Sequence, residues 1–252
     1  MIKIENFEVM GWEHAIRGMR NPMNSWEKSD SEYCDNHLLG YPACEGCPSF
    51  HPYESGMYCE PCIFKIGPND HELMMKLAKG GPVHAKYRRM ITVYVDITAP
   101  LYWWKEFDTY KVGTVANSCS TMHKIHEKEF TLEDFSCEHL YPVNEDGTID
   151  NDLRMSVKGS DAWCSYGLLD QVIWYLNYWR SKFLETKDKK YWWQMIQLLP
   201  SSYNQKRTIM LNYEVLAGIY PMRKNHKLDE WVEFCKWIED LPYSEIIIGE
   251  KS

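Results

Sequence analysis

The sequence predicts an α/β (α+β) fold in which a central β-sheet is combined with long helices. Residues 2–10 and 90–98 alternate apolar with polar side chains and contain several β-branched residues, which is typical of half-buried strands. Residues 164–186 instead repeat apolar side chains at helical spacing along their whole length. Between the two strands, residues 34–62 hold a cluster of cysteines that indicates an insertion with a metal site of its own.

The composition is that of a soluble globular protein. A chain of 252 residues can bury a substantial core, and we expect one domain over residues 1–252. The net charge of −8 argues against a broad nucleic-acid-binding face, although it leaves room for a local phosphate pocket. The N-terminal residues lack the apolar stretch of a signal peptide, and no apolar run is long enough to span a membrane. A cytoplasmic protein without membrane or nucleic-acid partners is therefore expected.

The N-terminal part of the chain is expected to alternate between strand and helix. After the strand at 2–10, apolar side chains recur at helical spacing over residues 12–19, which predicts a short helix. A polar, turn-rich loop follows it. A second helix is expected over residues 71–79, with Asp70 as its N-cap and two glycines at its end. The strand at 90–98 comes next.

The cysteine cluster within residues 34–62 consists of two C-x-x-C pairs. The four cysteines are Cys44, Cys47, Cys59 and Cys62. Each pair can place two thiolates on one ion, and two pairs complete the tetrahedral four-thiolate site typical of structural zinc. Iron in the same geometry and a set of free thiols are the alternatives. Three further residues are close enough in sequence to replace a ligand, namely Cys34, His37 and His51. We expect this metal to stabilise the insertion and to have no catalytic role.

The stretch from Pro100 to His123 is rich in both aromatic and polar side chains. Pro100 suits the start of a helix, three aromatic residues follow closely, and the stretch ends in small hydroxyl, amide and thiol side chains. Cys119 lies among these groups and could act as a nucleophile, but a lone thiol without a nearby base is more often a packing residue. The density of hydrogen-bonding groups makes this stretch a candidate wall of an active site.

Helices dominate the prediction for the C-terminal part of the chain. They are expected at residues 164–186, 190–199, 208–223 and 228–239. A stripe of Trp and Tyr along the first of them is interpreted as core or subunit interface in preference to a cofactor site.

The order of these features resembles that of the flavin-dependent thymidylate synthases, the ThyX family. The shared order is a strand, two helices, a His before the central strand, an Ala-Pro helix with a polar turn, a long helix, a Leu-Pro turn and a helix carrying Asn and Arg. The resemblance covers residues 1–30 and 67–242. It implies a homotetramer that holds FAD and methylates dUMP with methylenetetrahydrofolate and NADPH. Residues 34–62 are then an insertion into that fold.

The resemblance also implies roles for individual residues. The implied substrate-binding residues are Glu106, Lys111, Ser120 and Arg223. The implied cofactor-binding residues are His84, Tyr110, Asn117 and Asn212. In the chemistry of this family the flavin carries the hydride, so the resemblance assigns no catalytic nucleophile to the protein itself.

The stretch departs from the family signature, R-H-R-x-x-S-x-N-E-x-S-x-R-Y, at its arginines. Counted from the Ala-Pro pair, the Arg-His-Arg falls on Thr-Tyr-Lys at residues 109–111, and a one-residue slip is needed before Asn117. Neutral hydrogen-bonding groups and a lysine thus replace permanent cations. Glu106 stands where the family has Gln. Its carboxylate can repel a phosphate, accept from an amino group, or pair with Lys105 or Lys111.

These matches and departures support two main hypotheses. The first is an enzyme that methylates dUMP or a related pyrimidine nucleotide by flavin chemistry. The second is a non-catalytic nucleotide-binding or assembly protein that keeps the fold without the flavin. A third is a zinc-stabilised interaction module whose aromatic surface binds another protein. The polar density of residues 105–121 favours retained chemistry, and the missing Arg-His-Arg favours altered or lost chemistry.

Overall fold

The computed structural model describes residues 2–33, 50–51, 58–59, 64–144, 146–154 and 164–249. Within the cysteine-rich insertion only two short strands are described, and these only through their backbones. Of the predicted metal ligands, Cys44, Cys47 and Cys62 lie outside the described residues. Cys59 belongs to one of the short strands, where its backbone pairs with that of Phe50.

The described strands form one larger sheet and two small ribbons. The strands are β1 (Lys3–Met10), β2 (Glu32–Tyr33), β3 (Phe50–His51), β4 (Tyr58–Cys59), β5 (Phe64–Lys65), β6 (Thr92–Pro100), β7 (Val115–Ser118) and β8 (Asn204–Asn212). The larger sheet has the order β1-β6-β8-β7, and β7 runs antiparallel to β8 with Ser118 opposite Arg207. The two ribbons pair β2 with β5 and β3 with β4. The predicted strands at 2–10 and 90–98 are therefore confirmed as β1 and β6, and so is the combination of a sheet with helices.

The described helices match most of the predicted ones. They are α1 (Trp12–Arg20), α2 (Pro68–Lys79), α3 (Leu101–Phe107), α4 (Ser165–Thr186), α5 (Lys189–Leu198), α6 (Tyr213–Arg223), α7 (Asp229–Glu239) and α8 (Glu245–Ile248). No helix in the described part of the chain is long and apolar enough to cross a membrane.

The prediction of a helix from residue 208 onward is wrong at its N-terminal end. Residues 208–212 belong to β8, and the helix begins only at Tyr213. Ile209 and Leu211 are fully buried at strand spacing, and β8 lies between two other strands of the sheet. A short apolar run of this kind fits either period in sequence, so the neighbouring strands decide its conformation.

The contacts of the chain group it into two compact units. The first comprises residues 1–7, 94–210 and 223–237. One hydrophobic cluster of this unit is built on α4 and α5 and on the loop that precedes α4. The buried members of this cluster are Ile125, Phe130, Phe135, Leu169, Ile173, Leu176 and Met195. A second, aromatic cluster of the same unit surrounds Trp103 of α3, which is fully buried.

The second unit comprises residues 8–93, 211–222 and 238–252. Trp12 packs edge-on against the rings of Tyr213 and Tyr243, with centroid distances of 5.3 Å in each case. Gly11 is the N-cap of α1 with φ of 94°, and a Cβ there would lie 2.1 Å from the carbonyl oxygen of Met90. Glycine is therefore required at this position.

Asp70 does not cap α2, contrary to the sequence prediction. Gly67 occupies the N-cap position, and the side chain of Asp30 accepts hydrogen bonds from the backbone N–H groups of Asn69 and Asp70. The Asp70 side chain is fully buried and pairs with Arg20 at 2.6 Å. Arg20, expected in a polar loop, is therefore the last residue of a helix and is buried in an ion pair.

Candidate functional site

The start of helix α3 is held by hydrogen bonds to the backbone of another segment. Pro100 is the last residue of β6 and takes the extended N-cap conformation, one position before its predicted place. The first two helical N–H groups, of Leu101 and Tyr102, donate to the carbonyls of Tyr203 and Ser201 at 3.0 Å each. Turn residues 201–203 thereby satisfy donors that a helix start leaves open. The helix ends at Phe107, and the rest of the predicted stretch is turn and strand.

Aromatic packing holds α3 against α7. The ring of Trp103 lies 4.8 Å from that of Trp231 and 5.7 Å from that of Phe234. The hydroxyl of Tyr102 donates to the carboxylate of Glu230, a buried residue of α7. Burial and this carboxylate both raise the pKa of Tyr102. The polar C-terminal end of α3 is thus positioned by mostly apolar packing against α7.

Glu106 projects from that end of α3 and receives several donors. Its Oε2 atom accepts from Nη1 of Arg223 at 2.7 Å and from the indole Nε1 of Trp231 at 2.9 Å. Nε2 of His226 lies 3.6 Å from the same oxygen. The sequence suggested Lys105 or Lys111 as an ion-pair partner of Glu106, and the structure gives this carboxylate a different one. The cation is Arg223, and neither nearby lysine pairs with this carboxylate in the described part of the chain.

Arg223 is enclosed by aromatic rings as well as by the carboxylate. Its guanidinium carbon lies 4.6 Å from the ring centroid of Trp231 and 5.7 Å from that of Tyr110. Nε of Arg223 donates to the hydroxyl of Tyr110 at 2.9 Å. Stacking on aromatic faces favours a guanidinium over an ammonium and restricts its orientation. Three of the predicted site residues, Glu106, Tyr110 and Arg223, therefore meet in one cluster, the Glu106–Arg223 cluster.

The cluster retains capacity for a ligand. The side chain of Arg223 is 18% exposed and that of Glu106 is 37% exposed. Nη2 of Arg223 makes no hydrogen bond to any residue that the structure describes, so one arm of the guanidinium remains available. A guanidinium can bind a phosphate or carboxylate through two parallel N–H groups. With Nη1 bound to Glu106, an incoming anion must accept a single arm or displace the carboxylate.

Three other predicted residues lie on exposed backbone of the same unit. Lys111 follows α3 in a turn and makes no side-chain ion pair within the described ranges. Asn117 lies in β7 opposite Thr208 of β8. The hydroxyl of Ser120 accepts from the backbone N–H groups of Met122 and His123 at 3.3 and 2.9 Å. The structure gives no contact of these side chains with the Glu106–Arg223 cluster.

The remaining two predicted residues, His84 and Asn212, lie in the other unit. Asn212 ends β8 and caps α6, because its side-chain oxygen accepts from the N–H groups of Glu214 and Val215 at 3.1 Å each. His84 is exposed in the turn after α2, and its ring packs against Gly80, where an added Cβ would lie 3.1 Å from it. Asn212 therefore has a structural role as a helix cap. The cap uses the side-chain oxygen of Asn212 and not its amide nitrogen.

Residues of β8 that support the site were not predicted from the sequence. Arg207 of β8 lies 4.2 Å from the ring centroid of Trp104, pairs with Asp108 at 2.7 Å and donates to Gln205 at 3.0 Å. Gln205 in turn donates to the carbonyl of Cys119 at 2.8 Å. Gln205 and Arg207 are two residues apart, so the strand period would have placed them on one face. No strand was predicted at residues 204–212, so this spacing was not used.

The described residues contain no group of three or more side chains arranged to hold a metal. The predicted zinc ligands lie outside the described side chains, so the zinc prediction stays a prediction.

Comparison of the whole structure with solved structures identifies the fold. Thymidylate Synthase X (ThyX) from Helicobacter pylori, solved with FAD and dUMP, superposes with a TM-score of 0.59 at 15% identity and covers 99% of this chain and 98% of its own. A second structure of that enzyme with the same two ligands gives a TM-score of 0.55, also at 15% identity, with coverages of 99% and 97%. This chain has the ThyX fold. The fold expected from the sequence resemblance is therefore confirmed.

A third similar structure is that of a nucleotide methylase. It is a UMP/dUMP methylase, PolB from Streptomyces cacaoi, bound with 5-Br dUMP. It gives a TM-score of 0.52 at 11% identity and covers 95% of this chain and 89% of its own. No protein-family model matches the sequence, and no curated protein matches it. At identities this low the shared property is the fold, and function must be argued from the site.

Proposed function

We propose that this protein is a flavin-dependent methyltransferase that acts on dUMP or a related pyrimidine nucleotide. The observation that carries the proposal is the match over almost the whole length of both chains to an enzyme solved with FAD and dUMP. The Glu106–Arg223 cluster supports it, since it holds a partly exposed guanidinium between aromatic rings. In this proposal the chain acts as a single domain within a cytoplasmic homotetramer, with methylenetetrahydrofolate and NADPH as co-substrates.

Arg223 is the proposed anchor for the nucleotide phosphate. Its free Nη2 arm offers a charge-assisted hydrogen bond, and the rings of Tyr110 and Trp231 limit its motion. Lys111 and Ser120 are the other proposed substrate contacts. Glu106 has two proposed effects, since it orients the guanidinium in the free protein and competes with the phosphate for it.

The proposed flavin contacts are His84, Tyr110, Asn117 and Asn212. Their donor set fits a flavin, because imidazole, phenol and amide groups supply neutral hydrogen bonds and no carboxylate is among them. The amide nitrogen of Asn212 is one such donor, because the α6 cap engages the side-chain oxygen. When bound, the flavin supplies the hydride chemistry that the side chains lack. The protein's part is to bind and orient the nucleotide beside it.

Flavin binding and turnover test the proposal directly. Purified protein incubated with excess FAD should show the visible flavin absorbance after gel filtration. With methylenetetrahydrofolate and NADPH added, it should then release tritium from dUMP labelled at C5, because methylation at that carbon replaces its hydrogen. Absence of flavin absorbance even after incubation would refute the enzyme hypothesis.

A specific observation favours the second candidate, a nucleotide-binding or assembly protein without flavin chemistry. The predicted phosphate anchor is already paired with a carboxylate, which an enzyme selected for tight phosphate binding would not need. Colourless protein that nevertheless binds dUMP, with loss of binding in Arg223→Gln, is the outcome that supports this candidate.

We propose that Cys44, Cys47, Cys59 and Cys62 bind one structural zinc ion. The support is the spacing of the two C-x-x-C pairs. Metal analysis of purified protein should give about one zinc per chain, and Cys44→Ser should lower that content. Folded protein that contains neither zinc nor iron would contradict the metal site.

A further inference from the structure

The outward face of α4 carries a group of exposed aromatic side chains. Trp174, Tyr175 and Tyr178 are 61%, 48% and 42% exposed. The ring of Trp174 lies 5.0 Å from that of Tyr175, and it stacks on that of Tyr178 with a centroid distance of 5.7 Å and an interplanar angle of 10°. Single exposed apolar side chains are common on protein surfaces, but rings in contact with one another form a continuous apolar patch. A patch of this kind is typical of a surface that binds another molecule.

The core of the unit uses the opposite face of α4. The residues of α4 that are buried in the cluster with α5 are Leu169, Ile173 and Leu176. Trp179 packs against the same cluster, whereas Trp174 and Tyr178 are exposed on the other side of the helix. The Trp and Tyr stripe expected from the sequence to be core or subunit interface is therefore divided, because only part of it faces the core.

The charged residues on the outward face lie at the two ends of the aromatic group. Asp170, Trp174, Tyr178 and Lys182 follow one another at intervals of four residues, which places them on one ridge of the helix. Asp170 is exposed and makes no ion pair with any residue that the structure describes. The ridge therefore has an acidic end, an aromatic centre and a basic end.

This ridge is complementary to itself when two copies run in opposite directions. In an antiparallel pair of α4 helices with a two-fold axis at the level of Leu176, Asp170 faces the partner's Lys182, and Trp174 faces the partner's Tyr178. The two-fold axis makes each of these contacts twice. A parallel pair would instead place Asp170 against Asp170 and Lys182 against Lys182. Opposite charges at matching positions thus favour the antiparallel arrangement.

The ion pair that Lys182 makes within the chain is compatible with this arrangement. Lys182 pairs with Glu185 at 3.3 Å, and the two side chains are 40% and 68% exposed. An exposed pair of this kind contributes little, so Lys182 can turn toward a second carboxylate. In the antiparallel arrangement Glu185 lies beside the first turn of the partner's α4, where the helix dipole favours a negative charge.

We propose that a second copy of this chain docks on this face, with the two α4 helices packed antiparallel through Trp174 and Tyr178. The occupant is a copy of the chain and not an unrelated protein, because the charge pattern of the ridge matches its own reverse. This contact requires neither flavin nor nucleotide, and it locates an interface that the proposed homotetramer leaves unspecified.

Substitution of the central ring tests the apolar part of the interface. Sedimentation velocity of the full-length protein over micromolar concentrations measures the association, and thermal unfolding verifies that each variant is folded. Trp174→Glu should raise the dissociation constant by about a hundredfold or more, because each pair of copies loses two central rings. Trp26→Glu is the matched control, since Trp26 is 49% exposed and belongs to the other unit, and it should leave the dissociation constant unchanged.

Exchange of the charges tests the antiparallel pairing itself. Asp170→Lys and Lys182→Asp should each weaken self-association by about tenfold, because like charges then face each other twice in every pair of copies. An equimolar mixture of these two variants should restore the association. In the mixed pair the introduced lysine meets the introduced aspartate, and the native contact between Asp170 and Lys182 forms beside it.

Three results would overturn the proposal. They are unmodified protein that stays monomeric over the whole concentration range, Trp174→Glu protein that associates as the unmodified protein does, and a mixture of the charge variants that associates no better than either variant alone. The visible flavin absorbance of the same samples is read separately. Colourless protein that still associates in a Trp174-dependent way supports this interface and counts only against the enzyme hypothesis.

Discussion

Two arginine–carboxylate pairs of similar length occupy very different environments in this protein. Arg20 and Asp70 lie 2.6 Å apart with side chains that are 5% and 0% exposed. Arg223 and Glu106 lie 2.7 Å apart with side chains that are 18% and 37% exposed. The first pair is closed to solvent and fully engaged, whereas the second keeps a free guanidinium arm. Burial and remaining hydrogen-bonding capacity, not ion-pair distance, separate a structural pair from a candidate binding site.

The hydrogen bonds of Asp70 explain why the first pair is structural. Its Oδ2 accepts from the hydroxyls of Ser29 and Ser31 at 2.6 Å each, and its Oδ1 accepts from Arg20. Burial alone would raise the pKa of Asp70, but these hydrogen bonds outweigh it and lower the pKa below the usual value. The network ties the end of α1 and the loop after it, which precede the cysteine-rich insertion, to α2, which follows the insertion.

The largest expected effect is the loss of stability when the buried pair is broken. Asp70→Asn leaves Arg20 as a buried cation without its counter-charge, which should lower the free energy of unfolding by about 3–5 kcal/mol. Asp229→Asn is the matched control, because Asp229 pairs with His139 at a 70% exposed position and should cost less than about 1 kcal/mol. Urea denaturation measures both, and equal effects would mean that the Arg20–Asp70 pair has no special structural role.

The second-largest expected effect is a loss of dUMP affinity when Arg223 of the Glu106–Arg223 pair is replaced. Arg223→Gln should weaken dUMP binding by about 2–4 kcal/mol, because a charge-assisted contact to the phosphate is lost. Arg17→Gln removes an exposed arginine of α1 and should leave the affinity unchanged. Calorimetric titration with dUMP measures both variants. If Arg223→Gln binds dUMP as the unmodified protein does, the phosphate is bound elsewhere.

Replacing the competing carboxylate should strengthen dUMP binding, which is the opposite of the effect expected for Arg223→Gln. Glu106→Gln keeps the size and the hydrogen-bond acceptor but removes the charge that occupies Nη1 of Arg223. We expect dUMP to bind more tightly by about 1 kcal/mol, a gain limited by the partial exposure of the pair. A double-mutant cycle with Arg223→Gln should show that this gain requires Arg223. Weaker binding in Glu106→Gln would instead make Glu106 a direct contact of the nucleotide.

The smallest expected effect is a pH dependence of the protein's stability that arises from Asp96 in the larger sheet. Asp96 accepts hydrogen bonds from Thr208 and Asn6 and pairs with Lys206, and together these lower its pKa to about 2. Since the folded-state pKa lies below the unfolded value of about 4, the stabilisation is fully present above about pH 4 and is lost as the pH falls toward 2. Asp96→Asn should therefore flatten the decline of the urea midpoint between these pH values. An unchanged decline would show that other carboxylates account for it.

Residues 1–30 and the long C-terminal helices show how much of the fold the sequence predicts. The strand β1 and the helices α1, α4, α5 and α7 follow from periodicity, and α1, α4 and α7 each bury one regular face. Periodicity failed at residues 208–212, where a short apolar run fits both a helix and a strand. Sequence reasoning also failed for Asp70. An aspartate that caps a helix and an aspartate in a buried ion pair cannot be told apart from the sequence.

The candidate site was likewise predictable from the sequence only in part. The sequence determined the residue types, including a lone arginine at 223, a carboxylate at 106 and a tyrosine at 110. Only the tertiary structure decided that these three meet, because α3 and the end of α6 are more than 100 positions apart and are joined through packing on Trp231. Spacing along the chain carries no information about such contacts, which depend on how separate helices pack.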